Sequence, residues 1–247
     1  PFCQSQGDAG KAGDGLHMTG AMLMPMLIVV AKQPAAGQTK TRLCPPLTGA
    51  TAAALYECFL RDTLDIMRAT PDVIRCIGYL PEAADGYFRE LAHDFTLMRQ
   101  EGADLGERLD NLLATALAQG AAAAVVMDSD SPTLPAAYLQ QAFAHLAEGA
   151  DVVLGPCDDG GYYLIGLTKP QPRLLREVTM STPTVLQDTL AIAAELALHV
   201  ALLPTWYDVD TVTELQRLRH ELANTASAGL AAPADHTRAF LQTALIG

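Results

Sequence analysis

Short apolar runs alternate with stretches of helical spacing from Met26 almost to the end of the chain, and this alternation restricts the fold. Met26–Val30 is a continuous apolar strand. Thr48 stands where an N-cap is needed for a helix of about twenty residues through Arg68, with Leu55, Phe59 and Ile66 on its apolar stripe. Val73–Leu80 has strand composition, and Pro81 suits the first turn of a helix to about Ala92. Phe95–Met98 is a short strand. Leu105–Ala118 carries helical spacing and stops at Gly120. Ala122–Met127 is a buried strand, followed by a helix from Pro135 to about Glu148. Asp151–Leu154 and Tyr162–Leu167 are strands around a polar, glycine-rich Gly155–Gly161. A helix from Ser181-Thr182-Pro183 to about Leu196, a strand Leu198–Leu203 and a helix Thr211–Leu222 complete the alternation. The fold class is α/β: one domain over 26–222, a mainly parallel central sheet with helices on both faces. Ligands on such a sheet bind beyond the carboxyl ends of the strands.

The flanks differ. Pro1–Gly20 is polar and glycine-rich, so residues 1–25 are expected to be a disordered extension. Residues 223–247 are expected to be a linker and a C-terminal helix. The apolar stretch Met22–Val30 is too short to span a bilayer, and Lys32 ends it, so no membrane is expected. The 247 residues carry a net charge of −12, which argues against a nucleic-acid binder and confines any polyanion contact to a local site. Five cysteines, odd in number and without CxxC spacing, point to a reducing cytoplasm rather than a disulfide or zinc scaffold. Apolar helices are compatible with a homodimer.

Against this acidic background, Lys32, Lys40 and Arg42 cluster in one loop after the first strand, with Pro34 and Gly37 between them. Lysines place point charges on phosphate oxygens, arginine binds them in a fork, and Gly37 permits positive φ and close backbone approach. The alternative is a solvated loop. Asp128-Ser129-Asp130-Ser131-Pro132 follows a buried strand and suits a hard divalent cation, which takes one or two carboxylates plus substrate phosphates. Helix capping before Pro135 is the rival explanation. Asp208 and Asp210 form a second acid pair at a strand end, with Asp210 or Thr211 also a candidate cap. Asp158-Asp159-Gly160-Gly161 is either a ligand-side loop or a hairpin turn. Gly106, Glu107 and Arg108 stand at a strand-to-helix junction that touches substrate or caps the helix. There is no Walker A sequence, no GxGxxG after the first strand, no G-x-S-x-G and no histidine metal motif. Cys157 has no nearby histidine in sequence and is not expected to be a nucleophile.

Taken in order, these stretches resemble the bacterial DUF2064 family, also called rSAM/selenodomain-associated transferase 1. The resemblance spans about Met26 to Leu222. It rests on Ala31-Lys32-x-Pro34-x-x-Gly37-x-x-Lys40-Thr41-Arg42-Leu43, Asp104-Leu105-Gly106-Glu107-Arg108, Asp130-x-Pro132-x-Leu134, Gly155-Pro156-x-x-Asp159-Gly160-Gly161-Tyr162-Tyr163-Leu164-Ile165-Gly166, Ser181-Thr182-Pro183 and Asp208-Val209-Asp210-Thr211. It implies the nucleotide-diphospho-sugar transferase (GT-A) fold, in a group holding both nucleotidyltransferases and metal-dependent glycosyltransferases. On that resemblance Lys32, Gly37, Lys40, Thr41 and Arg42 look like the phosphate loop, Asp130 like a metal ligand, and Asp208 or Asp210 like the second acid. One departure stands out: Asp128 occupies a position that is usually Gly in the family, and Thr133 one that is commonly Asp. Asp128 either completes an Asp-x-Asp metal site or is a local substitution.

The expected activity is transfer from an activated nucleotide, assisted by magnesium or manganese. In one version an NTP passes its nucleotidyl group to a small phosphorylated or hydroxyl acceptor, with loss of pyrophosphate. A nucleotide-diphospho-sugar glycosyltransferase is the close rival, with Asp158 or Asp159 meeting the acceptor hydroxyl. A non-catalytic nucleotide-binding module is the third reading. The expected catalytic residues are Lys40, Arg42, Asp130 and Asp159, and the expected metal ligands Asp128, Asp130, Asp208 and Asp210.

Overall fold

The first strand is apolar along its whole length because it is buried from both sides. Leu27, Val29 and Ala31 face one hydrophobic cluster, while Met26 and Ile28 face another. That two-sided burial is what a central strand of a parallel sheet requires. The computed structural model describes residues 23–227 and 234–244, so most of the expected N-terminal extension lies outside the described residues.

The elements run β1 (Met26–Lys32), α1 (Gly49–Arg68), β2 (Ile74–Leu80), α2 (Asp85–Leu91), β3 (Thr96–Arg99), α3 (Leu105–Ala118), β4 (Ala124–Met127), α4 (Ala136–Ala147) and β5 (Val152–Pro156). They continue with β6 (Tyr162–Leu167), α5 (Arg173–Arg176), α6 (Val185–Glu195), β7 (Val200–Leu202), α7 (Val212–Ser227) and α8 (Asp235–Ala244). The sheet order is β3-β2-β1-β4-β6-β5-β7. Every neighbouring pair is parallel except those of β6, which runs against both β4 and β5. That reversal is a hairpin: Cys157 N–H donates to Gly161 O at 3.0 Å, and Gly160 takes φ +90°.

The predicted cap at Thr48 is formed, and α3 has a second one at Asp104. The Thr48 hydroxyl accepts from the Thr51 N–H at 3.1 Å, and the Asp104 carboxylate accepts from the Glu107 N–H at 2.9 Å. α1, α2 and α4 cover one face of the sheet, and α3, α5 and α6 cover the other. A third cluster joins Leu55, Tyr56 and Phe59 of α1 to Leu215, Leu218 and Leu222 of α7, with Leu43 beside them.

The C-terminal region departs from the expected linker. Residues 223–227 continue α7, and α8 docks on α1 through a buried carboxylate. Asp62, 3% exposed, accepts from the backbone N–H groups of His236 (3.0 Å) and Thr237 (2.9 Å) and from the Thr237 hydroxyl (2.5 Å). It caps α8 from outside that helix. No helix among the described residues is long and apolar enough to cross a membrane.

Candidate active site

Backbone pairing assembles the acids at the carboxyl ends of the strands. The chain leaving β7 runs beside the end of β5: Trp206 N–H donates to Pro156 O at 3.0 Å and Asp158 N–H to Trp206 O at 3.1 Å. One turn later Val209 N–H donates to Asp130 O at 2.9 Å. These bonds bring Asp208 and Asp210 against Asp130, and Asp208 against Asp159. Ligating atoms of Cys157, Asp159 and Asp208 lie within 4.8 Å of one another.

The cationic loop comes to the same place. Gly37 takes φ +72° in a turn closed by Gln38 N–H donating to Ala35 O at 3.0 Å, which is the conformation its missing side chain permits. Lys40, at φ 50°, then starts a single 3-10 turn, Thr41–Leu43, pinned by buried Leu43. Among the described residues, no acceptor takes the backbone N–H of Lys40, Thr41 or Arg42. Successive free amides at a turn with a left-handed residue make an anion-binding concavity.

Lys40 is not a free hand. Its side chain is 5% exposed, and its ammonium lies 2.8 Å from Asp130 Oδ1 and 2.8 Å from Asp210 Oδ1. Burial alone would lower its pKa, but Asp130 and Asp210 prevail and hold it above the usual lysine value. Arg42 reaches Asp210 Oδ2 at 3.3 Å while its side chain remains 70% exposed. Asp210 therefore engages both oxygens with cations. Burial opposes it, yet Lys40 and Arg42 keep its carboxyl below the usual range.

Two further acids, Asp208 and Asp128, are under-compensated. Asp208 is pushed up to about 6, by burial first and then by Asp210, Asp159 and Asp130. Asp128 is raised well above the ordinary value, by burial and then by Asp130. It accepts from the Asp130 N–H at 3.0 Å and the Ser131 hydroxyl at 3.3 Å. Clustered carboxylate oxygens with too little positive charge between them are the donor set that a hard divalent cation fits. Of the cleft acids, Asp159 and Asp208 have ligating oxygens within 4.8 Å of each other, with Cys157 beside them.

The cleft has two connected halves. The basic half, about 470 Å³, is lined by Lys32, Lys40, Thr41, Arg42, Gln100 and Arg108, among others. Asp159 and Asp208 line the other half, of about 500 Å³. Asp128, Asp130 and Asp210 line both. Not all of the junction before α3 faces the cleft. Glu107 accepts from the Ala103 N–H at 2.9 Å in a capping arrangement, and a Cβ on Gly106 would meet Leu175 O at 2.2 Å. Of the expected trio Gly106, Glu107 and Arg108, only Arg108 lines the cleft. Asp158 turns aside to Arg217 at 2.6 Å, leaving Asp159, whose Oδ1 accepts from the Gly161 N–H at 2.8 Å.

Sequence reasoning missed Tyr56 and Ser129, joined at 2.9 Å beneath the basic half, where the Tyr56 hydroxyl also accepts from the Lys32 N–H at 3.2 Å. Burial pushes the Tyr56 phenol up to about 12 and so keeps it protonated. It also missed Met180 and Val185, which wall the other half. A helical stripe shows that Tyr56 is inside, not that its hydroxyl supports a cleft.

The seven-stranded sheet, with its single reversed strand, is the fold of the nucleotide-diphospho-sugar transferases. Within that fold the chain belongs to the DUF2064 family, described as an uncharacterised protein conserved in bacteria, whose profile matches residues 63–182. A crystal structure of a candidate nucleotide-diphospho-sugar transferase from Desulfovibrio desulfuricans G20 is similar with a TM-score of 0.80 and 32% identity, covering 90% of this chain and 95% of that one. CMP:2-keto-3-deoxy-manno-octonic acid synthetase complexed with CTP is similar at a TM-score of 0.53 and 9% identity, covering 81% and 99%. Glucosyl-3-phosphoglycerate synthase from Mycobacterium tuberculosis, in complex with Mn2+ and UDP, is similar at 0.50 and 12%, covering 85% and 81%. No curated protein matches the chain.

Proposed function

We propose that this chain is a metal-dependent transferase acting on an activated nucleotide, with nucleotidyl transfer from an NTP as the leading reaction. The observation that carries the reading is the meeting of the cationic loop with the acid pairs: Lys40 joins Asp130 to Asp210, and Lys40, Thr41 and Arg42 line the basic half of the cleft. The D. desulfuricans relative, named for nucleotide-sugar transfer, supports the class.

Lys32, Arg42, Arg108 and the loop amides hold the phosphates. Lys40 neutralises Asp130 and Asp210 so that a polyanion can approach them. Asp130 and Asp208, backed by Asp128, would hold magnesium or manganese, with Asp210 left to its cations. When bound, the metal supplies charge neutralisation on the phosphoryl oxygens. The acceptor oxygen forms a bond to the α-phosphorus as the bond to the β-phosphate oxygen breaks, and pyrophosphate departs. Asp159 is placed to take the proton of a hydroxyl acceptor. Positioning and electrostatics lower the barrier.

Glycosyl transfer from a nucleotide-diphospho-sugar is the second reading. Asp159 and Asp208, on the side away from the basic loop, favour it, because a carboxylate there can receive the hydroxyl proton. Product analysis decides: pyrophosphate release from an NTP supports the first reading, and nucleoside diphosphate release from a nucleotide sugar supports the second. Nucleotide binding without turnover for any acceptor would contradict both and leave a binding module.

A further inference from the structure

The two halves of the cleft differ in what they can hold. The basic half has four cations against three acids, with the loop amides beside them. The other half is lined by five aspartates (128, 130, 159, 208 and 210) against a single cation, Arg42, which is already paired with Asp210. Its floor and wall are apolar: Leu105, Leu109, Val126, Ile165, Met180 and Val185. Most of these belong to the hydrophobic cluster on the α3 and α6 face, so the cavity is cut into core rather than into a polar surface.

The far wall is fixed in place. The segment entering α6 crosses the β5–β6 turn, where Leu186 N–H donates to Gly160 O at 3.0 Å. A Cβ on Gly160 would meet Pro183 O at 2.0 Å, so that crossing requires glycine. The cavity is therefore a built compartment of about 500 Å³, large enough for a small molecule.

We infer that this half takes the acceptor, and that the acceptor is an uncharged hydroxyl compound with an apolar body, not a phosphorylated one. The inference rests on the transferase reading above and narrows it. An acceptor phosphate would be desolvated against aliphatic side chains and would face carboxylates with no cation of its own. Arg42, the one cation lining this half, is already engaged by Asp210, which leaves none for a second anion beyond the donor's phosphates. An amine is disfavoured too, because the same carboxylates keep it protonated and non-nucleophilic. A hydroxyl at the mouth, beside Asp159 and Asp208, meets acceptors for its proton while its apolar body covers the floor.

The test uses methyl-labelled full-length protein and a matched pair, 4-phenyl-1-butanol and 4-phenylbutyl phosphate, titrated while the Leu109, Ile165 and Val185 methyl signals are followed. The alcohol is expected to shift these methyls saturably, and the ester to bind there at least about tenfold more weakly. Thr182→Lys, which adds a cation at the half-buried rim of this half, is expected to narrow that difference several-fold. An ester that binds these methyls as tightly as the alcohol overturns the inference. So does an alcohol that leaves them unmoved, or a nucleoside triphosphate that displaces the alcohol from them. Nucleotide binding is measured separately by calorimetry. Failure of an NTP or nucleotide sugar to bind would remove the transferase reading while leaving the pair comparison to decide the character of the cavity.

Discussion

Two buried carboxylates show how differently this chain uses the same group. Asp62 lies between α1 and α8 and receives three hydrogen bonds, all from residues at the start of α8. Asp128 lies at the end of β4, receives two, and faces Asp130 and Asp208. Asp62 is satisfied by neutral donors that the fold itself supplies, so it holds one element to another. Asp128 sits in an electrostatic conflict that neighbouring protein groups do not resolve. Fold energetics explain the first arrangement. The second makes sense if something positive completes it.

The sharpest way to break the comparison is at Lys40, the one cation buried among the cleft acids. Lys40→Ala is expected to lower turnover by about 10² to 10³ fold, the scale of losing a preorganised charge partner, as read by product release under saturating donor. Turnover within a factor of a few of the parent would remove Lys40 from the site. Asp62→Ala is expected to do the opposite: about 2–3 kcal/mol less stable in urea unfolding, because three donors lose a charged acceptor, with nucleotide affinity unchanged. A parallel loss of affinity would show that α8 is coupled to the cleft.

Metal addition is a milder probe. At ten times its dissociation constant a metal that binds the folded state alone adds about 1.4 kcal/mol of stability. Manganese is expected to raise the melting temperature of the parent and of Asp62→Ala, but not of Asp208→Asn, and a chelator is expected to reverse the gain. A rise of equal size in Asp208→Asn would place the ion elsewhere.

The smallest effect concerns a surface pair that neither region needs. Arg68 holds the Asp94 carboxyl down to about 2, chiefly through their hydrogen bonds at 2.9 and 2.8 Å. A carboxyl depressed in the folded state stabilises it above the unfolded value near 4, and that contribution is lost as pH falls from about 4 towards 2. Both side chains are more than one-third exposed, so screening limits the effect to under about 1 kcal/mol. Asp94→Asn should lower the stability at neutral pH by that much and leave it unchanged below about pH 2, which flattens the acid limb of the curve.

The sheet and its rim were legible because they depend on local chemistry. Runs such as Met26–Val30 can only be interior strands, and acids just past a strand end fall at the carboxyl edge whatever the loop geometry. Thr48 announced its helix through a cap that acts within three residues. What failed was decided at long range. Gly106 reads equally well as a ligand-side glycine, and only Leu175, far along the chain, makes it a packing position. The linker expected from Ala223 to Pro233 gives way to helix over 223–227, because α7, packed on α1 through Leu215, Leu218 and Leu222, runs on to Ser227, while the expected C-terminal helix is present as α8. The apolar floor of the cleft was not legible because Leu109, Val126, Met180 and Val185 come from separate elements and each reads as an ordinary core residue. Even Lys40 was half understood: its place at the rim followed from the loop, but its burial between Asp130 and Asp210 required the β7 exit to lie beside β4.

The most direct test of the account is calorimetric titration of the intact protein with an NTP or a nucleotide sugar, with and without manganese, in the parent and in Asp130→Asn and Arg42→Ala. The account predicts saturable binding in the parent that strengthens with manganese, loss of that strengthening in Asp130→Asn, and at least about tenfold weaker binding in Arg42→Ala. Binding that ignores the metal, or that survives both substitutions unchanged, would contradict it.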